Sequence, residues 1–390
     1  MKGSSNLAGA FRRNIQTYAI IIALIAIWAF FAFMTDGNYL KPQNFSNLFR
    51  QMTVTGFMAI GMVIVIVTGN IDLSVGKLAG FVSVIVAYFQ ASVWTKVIPE
   101  QAILAATLSV CIGLSVGALW GVLQGWIISY LNVPSFIVTL GSMFILNGAI
   151  LLVTQGKTIP ANQPGLSYIA QGYLPMWAGW AMAALVVAYL YFHMYRSRQN
   201  KKKHGFELPS MAQDIGVTSF FALLVLGYVF IVNQYNGVQV PVLLLAVASV
   251  ILSYMSTNTR FGRYAYAIGG NREAARLSGI NIRNSIFLVF VMMGFLCGVA
   301  GVVLASYVGY GTIAAGQGYE LDAIAAAILG GTSTLGGVGT VWGALIGALI
   351  MSSLSNGLQL LNVAPSWQYL LKGIVLVLAV YADVTFKKRS

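Results

Sequence analysis

The residues that could do chemistry are polar and ionisable side chains set within long apolar runs. Eight of them stand in two interrupted runs and one further apolar run: Asn70, Asp72, Ser74, Asn147, Asp322, Thr332, Ser333 and Thr334. Such groups are costly at membrane depth, and they commonly mark the path of a transported solute. Neutral hydroxyl and amide groups suit a neutral, hydroxyl-rich solute such as a sugar, and they would equally suit a nucleoside. We therefore expect these residues to line a translocation path.

The sequence lacks the residue patterns of several enzyme classes. It has no G-x-x-x-x-G-K-[S/T] motif, so nucleotide binding of that kind is not expected of this chain. His193 and His204 are far in sequence from any cluster of Cys, Asp or Glu, so we expect no metal site. Cys111 and Cys297 both lie inside apolar runs and are interpreted as small core residues. We expect no catalytic residue and no cofactor in this chain, so uphill transport would need an energy source on a separate subunit.

The elements that must position these residues are membrane spans. The chain has 390 residues, of which 58% are hydrophobic and 8% are charged, whereas soluble domains carry about 25% charged residues. Apolar runs of about 20 residues recur along the sequence, which predicts an all-α polytopic membrane protein with about ten transmembrane helices. The net charge of +13 is concentrated in three short segments, Arg196–His204, Asn258–Asn284 and Lys387–Arg389. Such clusters indicate orientation by the positive-inside rule and contact with a lipid bilayer rather than nucleic-acid binding.

The most basic run divides the chain into two predicted halves. Residues 1–195 form a first transmembrane half, residues 196–214 a basic cytoplasmic linker, and residues 215–390 a second transmembrane half that includes a cytoplasmic loop, 258–284. Ile15–Met34 is predicted to be a retained first span rather than a secretory signal. Thr35–Arg50 is predicted to lie outside, as an interfacial helix. Both termini are predicted to be cytoplasmic because basic residues flank them: Lys2, Arg12, Arg13, Lys387, Lys388 and Arg389.

Two spans are interrupted by glycine-rich segments without a long polar loop. The first is GNIDLSVG, Gly69–Gly76. The second is the short run Leu321–Leu329, which covers about half a bilayer, followed by GGTSTLGGVG, Gly330–Gly339. Short or glycine-interrupted segments in corresponding places of two halves point to a transport site. The alternative for the first segment is a tight turn at the membrane face, in which Asn70 or Asp72 caps the next helix.

A stripe of glycines marks another predicted span. The stripe has four-residue spacing, so its members share one helix face, which indicates close helix packing rather than solute contact: Gly113, Gly117, Gly121 and Gly125. Gln124 and Asn147 are lone polar groups in such spans. Each could form a helix–helix hydrogen bond or contact a sugar.

The segment Asn258–Asn284, NTRFGRYAYAIGGNREAARLSGINIRN, is a basic loop between two apolar runs. Five arginines against the single acid Glu273 place it in the cytoplasm. Asn271 can cap a helix of about two turns, Glu273 favours its first turn, and Gly279 can end it. A helix this short is not stable alone in water, so it should pack against its own spans or a partner. The alternative is a loop that only fixes the topology.

The motif GGNREAARLSGI resembles the cytoplasmic loop of ABC-type monosaccharide importer permeases in the ribose, xylose and galactose branch. The stretches GNIDLSVG, NVPSFIVTLG and ELDAIAA are also similar to that family, and the length and basic central insert are most like the xylose-type permeases. The resemblance implies a type II-like ABC importer permease in the bacterial cytoplasmic (inner) membrane. It also implies a homodimer with the pore at its interface, a two-domain ABC ATPase that carries ATP inside, and a sugar-binding protein outside. The residues implied to dock on the ATPase are Asn271, Arg272, Glu273, Ala274, Ala275, Arg276, Leu277, Ser278 and Gly279.

The expected function is therefore that of a permease subunit moving a monosaccharide, a xylose-like pentose or a hexose, across the cytoplasmic membrane. Three alternatives remain open: a nucleoside permease of the same family, a stand-alone facilitator or ion-coupled carrier, and a membrane-embedded enzyme of lipid or glycan metabolism. A proton-coupled carrier usually needs a relay of buried ionisable groups, and the sequence offers few. Uptake without an ATPase would favour the facilitator, and clustered His and acidic residues at an interface would mark the enzyme.

Overall fold

Helices dominate the molecule because, within lipid, a helix satisfies every backbone polar group inside its own segment. The computed structural model describes residues 15–161, 163–206, 208 and 210–387. Within that part of the chain, ten helices are long and apolar enough to cross a membrane. The predicted all-α polytopic membrane protein with about ten spans is thus confirmed. The terminal residues Lys2, Arg12, Arg13, Lys388 and Arg389 lie outside the described residues.

Fifteen numbered helices, a 3-10 helix at Asn38–Leu40 and two short strands follow in chain order within the described ranges. The helices are α1 Ile15–Met34, α2 Pro42–Val67, α3 Val75–Val97, α4 Ala102–Tyr130, α5 Ser135–Thr154, α6 Pro164–Gln171, α7 Met176–Lys203, α8 Met211–Asn233, α9 Val240–Asn258, α10 Arg260–Gly270, α11 Arg272–Leu277, α12 Ile282–Val308, α13 Tyr319–Leu329, α14 Val341–Leu360 and α15 Pro365–Lys387. The ten spans are α2, α3, α4, α5, α7, α8, α9, α12, α14 and α15, and α1 adds a shorter apolar stretch, Ile20–Met34. The strands β1, Ile159–Pro160, and β2, Tyr310–Gly311, pair antiparallel.

Helix α2 corrects one prediction about the chain before the second span. Pro42 begins this helix, and the helix then continues unbroken to Val67. Phe45 and Leu48 are buried, and Phe45 packs in a cluster with Val229 of α8. The predicted separate interfacial helix is therefore wrong, because the apolar residues of this stretch are buried against other helices rather than facing a bilayer surface.

Helix α2 is the centre of the molecule. Its residues Met52–Val67 are buried throughout, and it packs against α9, α12, α13 and α14. Helices α7 and α8 pack mainly on each other at the periphery, where most of their surface is exposed. A fully surrounded apolar helix between lipid-facing helices is the arrangement expected for a bundle in a bilayer.

The glycine stripe of α4 confirms the predicted helix packing. A methyl group added at Gly117 would lie 2.5 Å from the carbonyl oxygen of Gly294 in α12, and one at Gly121 would lie 2.5 Å from that of Phe290. Gly125 meets Phe287 in the same way. Small residues let the two helices approach closely, which maximises dispersion contacts where lipid provides no hydrophobic drive.

Two ends of the bundle can be distinguished. The β-strand face carries β1, β2 and the short helix α6, and the opposite α10–α11 face carries those two helices. The basic run Arg196–Lys203 lies at the α10–α11 face, where it forms the last two turns of α7, and α8 begins at Met211. Only a short connection, residues 204–210, separates these two helices. The division of the chain into two halves stays a prediction.

Candidate functional site

The first interrupted segment enters the interior of the bundle. Gly301 of α12 packs on α3, since a methyl group added there would lie 2.5 Å from the Ala79 carbonyl oxygen. Gly301 lies seven residues, about 10 Å, before Val308, which is the end of α12. Val75, the first residue of α3, lies about 6 Å farther from that end. Helix α3 therefore starts near the middle of α12. Neither Asn70 nor Asp72 caps α3 with its side chain, and where this turn lies relative to a membrane face stays a prediction.

Asp72 and Ser74 organise this segment through buried hydrogen bonds. One Asp72 carboxylate oxygen accepts from the Ser74 backbone N–H at 2.9 Å and from its hydroxyl at 2.6 Å. Gln124 of α4 donates to the Ser74 hydroxyl at 2.8 Å. The Gln124 amide therefore links α4 to the segment that precedes α3. Among the described residues, the Asn70 side chain donates only to Thr68. Asp72 and Ser74 are buried, whereas Gly69 and Ile71 of the same segment are exposed.

The second interrupted segment runs into the bundle from the opposite face. Gly311 packs on Val84 and Ala87 of α3, and a methyl group at Gly316 would lie 1.9 Å from the Gly76 carbonyl oxygen. The chain thus descends about 12 Å along α3, from the level of Val84 to that of Gly76. Helix α13 begins beside this point and runs toward the α10–α11 face. The predicted half-helix over Leu321–Leu329 is confirmed as Tyr319–Leu329.

The first turns of α3 and α13 meet inside the bundle. A methyl group added at Gly76 would lie 2.3 Å from a Glu320 carboxylate oxygen and 2.6 Å from the Gly316 carbonyl oxygen. From this point α3 runs to the β-strand face and α13 to the α10–α11 face. The amino ends of helices carry partial positive charge, which favours acidic side chains such as Glu320 and Asp322 in the first turn of α13.

Asp322 forms a buried ion pair that the sequence analysis missed. Lys372 of α15 donates to an Asp322 carboxylate oxygen at 2.7 Å, and the two side chains are 15% and 5% exposed. The other carboxylate oxygen has no hydrogen-bond partner among the described residues. A lysine and an aspartate in otherwise apolar spans are expected to pair, and that signal could have identified Lys372.

The loop Gly330–Gly339 links α13 to the α10–α11 face. The Gly337 N–H donates to the Val67 carbonyl oxygen at the end of α2, at 2.9 Å. Thr332 is fully buried, and its hydroxyl has no partner within the described ranges. The Ser333 hydroxyl accepts from the Leu335 N–H at 3.2 Å. Thr334 bonds to Asp383 of α15 through both its N–H and its hydroxyl, a contact with no signal in the sequence.

The eight residues predicted to line a path therefore occupy separate places. Asp72 and Ser74 lie near the start of α3, with Asn70 at the end of α2, and Asp322 lies in α13. Three others share the loop that follows α13: Thr332, Ser333 and Thr334. Asn147 is half-buried on α5 and makes no hydrogen bond with the described part of the chain. Their role in translocation stays a prediction.

Helix α11 is a short, sharply bounded element at the surface. The Asn271 side chain accepts from the Ala274 N–H at 3.0 Å, which is the predicted cap. Gly279 has a φ of +80°, and the Ile280 N–H donates back to the Ala275 carbonyl at 3.1 Å, which closes the helix as predicted. Leu277 is 83% exposed. Capped ends keep this short helix rigid while it presents an apolar side chain to solvent.

Charged side chains are close to that apolar residue in sequence. Glu273 and Arg276 form an exposed ion pair at 2.9 Å. The other arginines of the segment are exposed as well: Arg260, Arg263, Arg272 and Arg283. Exposed ion pairs add little to stability. An exposed leucine among charged residues is instead the composition of a docking surface, where charges set the register and an apolar contact supplies affinity.

Helix α10 connects α11 to the interior. Ala265 and Ile268 are buried, and Gly269 presses on the end of α2, where an added methyl group would lie 1.6 Å from the Val67 carbonyl oxygen. The Tyr266 hydroxyl donates to the Gly339 carbonyl oxygen at 2.7 Å. Burial raises the pKa of the Tyr266 phenol above its ordinary value, so it stays a protonated donor. The glycine loop is thus in contact with α10 on one side and continuous with α13 on the other.

Comparison with known proteins decides the family. Residues 44–380 match the family described as branched-chain amino acid transport system / permease component. The chain belongs to this permease family. It is a multi-pass membrane permease, because its ten apolar helices and its family membership agree.

The permease is similar to several characterised transport proteins. It is 41% identical over 387 residues to the xylose transport system permease protein of Escherichia coli, covering 99% of this chain and 96% of that protein. It is 32% identical over 363 residues to the ribose import permease protein of Escherichia coli, covering 93% and 92%. It is 32% identical over 371 residues to the galactose/methyl galactoside import permease protein of Salmonella typhimurium, covering 94% and 92%. No solved structure matches the permease.

Proposed function

We propose that this protein is the permease subunit of an ATP-driven importer that moves a monosaccharide, with a xylose-like pentose as the first candidate. The observation that carries the proposal is the 41% identity to a xylose transport system permease over nearly the whole of both chains. The 32% identical relatives are named for ribose and for galactose or methyl galactoside, so the solute class is a neutral sugar. The family description, in contrast, names branched-chain amino acids.

The energy source is a separate two-domain ATPase that docks on α11. The sequence has no phosphate-binding loop motif of the G-x-x-x-x-G-K-[S/T] type. Leu277 supplies the exposed apolar contact, while Glu273, Arg272 and Arg276 can meet complementary charges on the ATPase. Because both ends of α11 are capped, the helix can transmit a movement without unfolding. ATP belongs to that partner, and the permease itself needs no cofactor.

Motion of α11 reaches the half-helix α13 through α10. Gly269 touches both the Val67 carbonyl oxygen and the Gly337 N–H, and Tyr266 is hydrogen-bonded to Gly339. Backbone-to-backbone contacts do not yield as flexible side chains do, so a shift of α10 must move the loop Gly330–Gly339. That loop is continuous with α13 and therefore with the meeting point of the two interrupted segments.

Orientation follows from charge. The α10–α11 face carries the five arginines of the loop and the basic end of α7, so it lies in the cytoplasm of a bacterial cell, and both termini lie there too. The β-strand face is then extracytoplasmic and receives sugar from a binding protein. Two copies of the permease form a homodimer around one pore.

The test is sugar uptake into proteoliposomes that contain the permease with or without its ATPase. The proposal expects xylose uptake that requires both the ATPase and internal ATP. Equal uptake by the permease alone would favour a stand-alone facilitator. ATP-driven uptake of a nucleoside in place of a monosaccharide would favour the nucleoside permease of the same family.

A further inference from the structure

A cavity opens beside the point where the second interrupted segment descends. It has a volume of about 270 Å³, and it lies between α3, the end of α12, the start of α13 and α15. We name it the vestibule. Its polar lining consists of Ser83, Tyr310, Thr312, Gln317, Tyr319 and Tyr369. Because Tyr310 and Thr312 adjoin β2, the vestibule belongs to the half of the bundle that ends at the β-strand face.

Ser83 is the unusual member of this lining. Its side chain is fully buried, and its hydroxyl has no hydrogen-bond partner among the described residues. Other buried serines in spans have hydrogen-bond partners: Ser249 donates to the Leu245 carbonyl at 2.7 Å, and Ser109 accepts from Gln90 at 3.0 Å. A buried hydroxyl without a protein partner in a polar cavity is satisfied by water or by a ligand hydroxyl. Ser83 therefore points to a hydrogen-bonding ligand.

The rest of the lining can both donate and accept hydrogen bonds. The side chains of Thr312, Gln317, Tyr319 and Tyr369 form no hydrogen bond to the described part of the protein, so their polar groups remain available. Hydroxyl and amide groups pair equally well with the donors and acceptors of a sugar hydroxyl. The three tyrosine rings add the flat apolar surface that ligand pockets commonly combine with a few polar groups.

Among the described residues, none that lines the vestibule is charged. The nearest acids in sequence, Glu320 and Asp322, face elsewhere, since Glu320 lies against Gly76 and Asp322 pairs with Lys372. A branched-chain amino acid carries an ammonium and a carboxylate, and burying either without a counter-charge is expensive. A neutral solute bears no such cost. The lining therefore favours binding of a neutral sugar over the amino acids named in the family description.

The volume of the vestibule is large enough for one monosaccharide ring. At a liquid share of roughly 30 Å³ for each water, about nine waters would fill it. One monosaccharide with a few waters fits that space.

We propose that the vestibule is a sugar-binding site of the permease, in which the Ser83 hydroxyl, the Gln317 amide and the Tyr369 hydroxyl hydrogen-bond one neutral monosaccharide on its way into the membrane. This inference rests on the proposed function and adds the site and its selectivity against charged solutes. The site is a property of the permease itself, so binding to it needs neither the ATPase nor the binding protein.

The test is protection of a cysteine from a maleimide in the full-length permease reconstituted in lipid nanodiscs. Ala314→Cys places the thiol at the vestibule without removing a polar group, in a Cys111→Ser background because Cys111 is exposed. Lys157→Cys, exposed on the same face, is the control. D-xylose in the millimolar range should slow labelling of Ala314→Cys and leave Lys157→Cys unchanged, whereas leucine should protect neither.

A second variant ties the protection to the hydroxyl. Ser83→Ala in the Ala314→Cys background should raise the half-protecting xylose concentration about twofold to tenfold, the value of one lost neutral hydrogen bond. Tyr254→Phe, which removes an exposed tyrosine hydroxyl on α9, should leave it unchanged. Labelling that xylose does not slow, or an unchanged half-protecting concentration in Ser83→Ala, would overturn the site. Protection by leucine in place of xylose would overturn the ligand class. Loss of ATP-driven uptake with protection intact would count only against the proposed function.

Discussion

The substitution Gly269→Ala tests whether α10 transmits motion to the glycine loop. The added methyl group would lie 1.6 Å from the Val67 carbonyl oxygen and 2.6 Å from the Gly337 nitrogen. An ordinary contact between carbon and oxygen is about 3.3 Å, so α10 must withdraw by roughly 1.7 Å. Such overpacking against backbone costs about 1–3 kcal/mol. It would separate α10 from the loop while leaving α11 and its surface unchanged.

The assay measures ATP hydrolysis and xylose uptake in the same proteoliposomes. Gly269→Ala should keep ATPase binding and hydrolysis but lose most uptake, so that more ATP is consumed for each sugar moved. Gly270→Ala is the matched control, because nothing lies within 4 Å of a methyl group added there. Tyr266→Phe perturbs the contact between α10 and the glycine loop less, because it removes only the hydrogen bond to Gly339. If folded Gly269→Ala moved the normal amount of xylose for each ATP hydrolysed, transmission through α10 would be refuted.

The remaining predictions concern stability. Asp322→Ala leaves Lys372 buried without its partner and should lower the free energy of unfolding by about 3–5 kcal/mol, measured as thermal stability in nanodiscs. Adding Lys372→Met should recover most of the loss, and no recovery would argue against the pair. Gly117→Ala should lower it by about 1–3 kcal/mol by separating α4 from α12, whereas Gly148→Ala, with open space around it, should not; equal stability of both variants would contradict the packing. Asn271→Ala should cost about 1 kcal/mol of local α11 stability, seen as faster amide exchange confined to α11, and unchanged exchange would mean that the cap does not hold the helix.

Sequence reasoning predicted the local features of this fold well. Apolar runs predict spans because lipid permits few alternatives, and the caps at Asn271 and Gly279 depend only on neighbouring residues. The four-residue glycine spacing of α4 predicts a packed face without naming its partner. The half-helix over Leu321–Leu329 follows from length alone, since nine residues cannot cross a bilayer.

What the sequence could not provide is contact between distant segments. That Thr334 bonds to Asp383 depends on where α15 packs. The meeting of Gly76 with Gly316 likewise depends on two descending segments that are more than two hundred residues apart. The long helix α2 was mispredicted before Arg50 because burial by neighbouring helices, rather than a bilayer surface, decides what Phe45 and Leu48 contact.

The central claim is that a separate ATPase drives this permease through α11, and Leu277→Asp tests it most directly. A leucine buried at an interface is worth about 1.5–3 kcal/mol, so a charge there should weaken ATPase binding roughly tenfold or more. The control Phe206→Asp changes another exposed apolar residue on the same face, 67% exposed between α7 and α8.

The deciding measurement is ATP-dependent xylose uptake together with ATPase retention on the purified permease. The account predicts that Leu277→Asp loses both while Phe206→Asp keeps both. Full ATPase retention and full uptake in Leu277→Asp would contradict it.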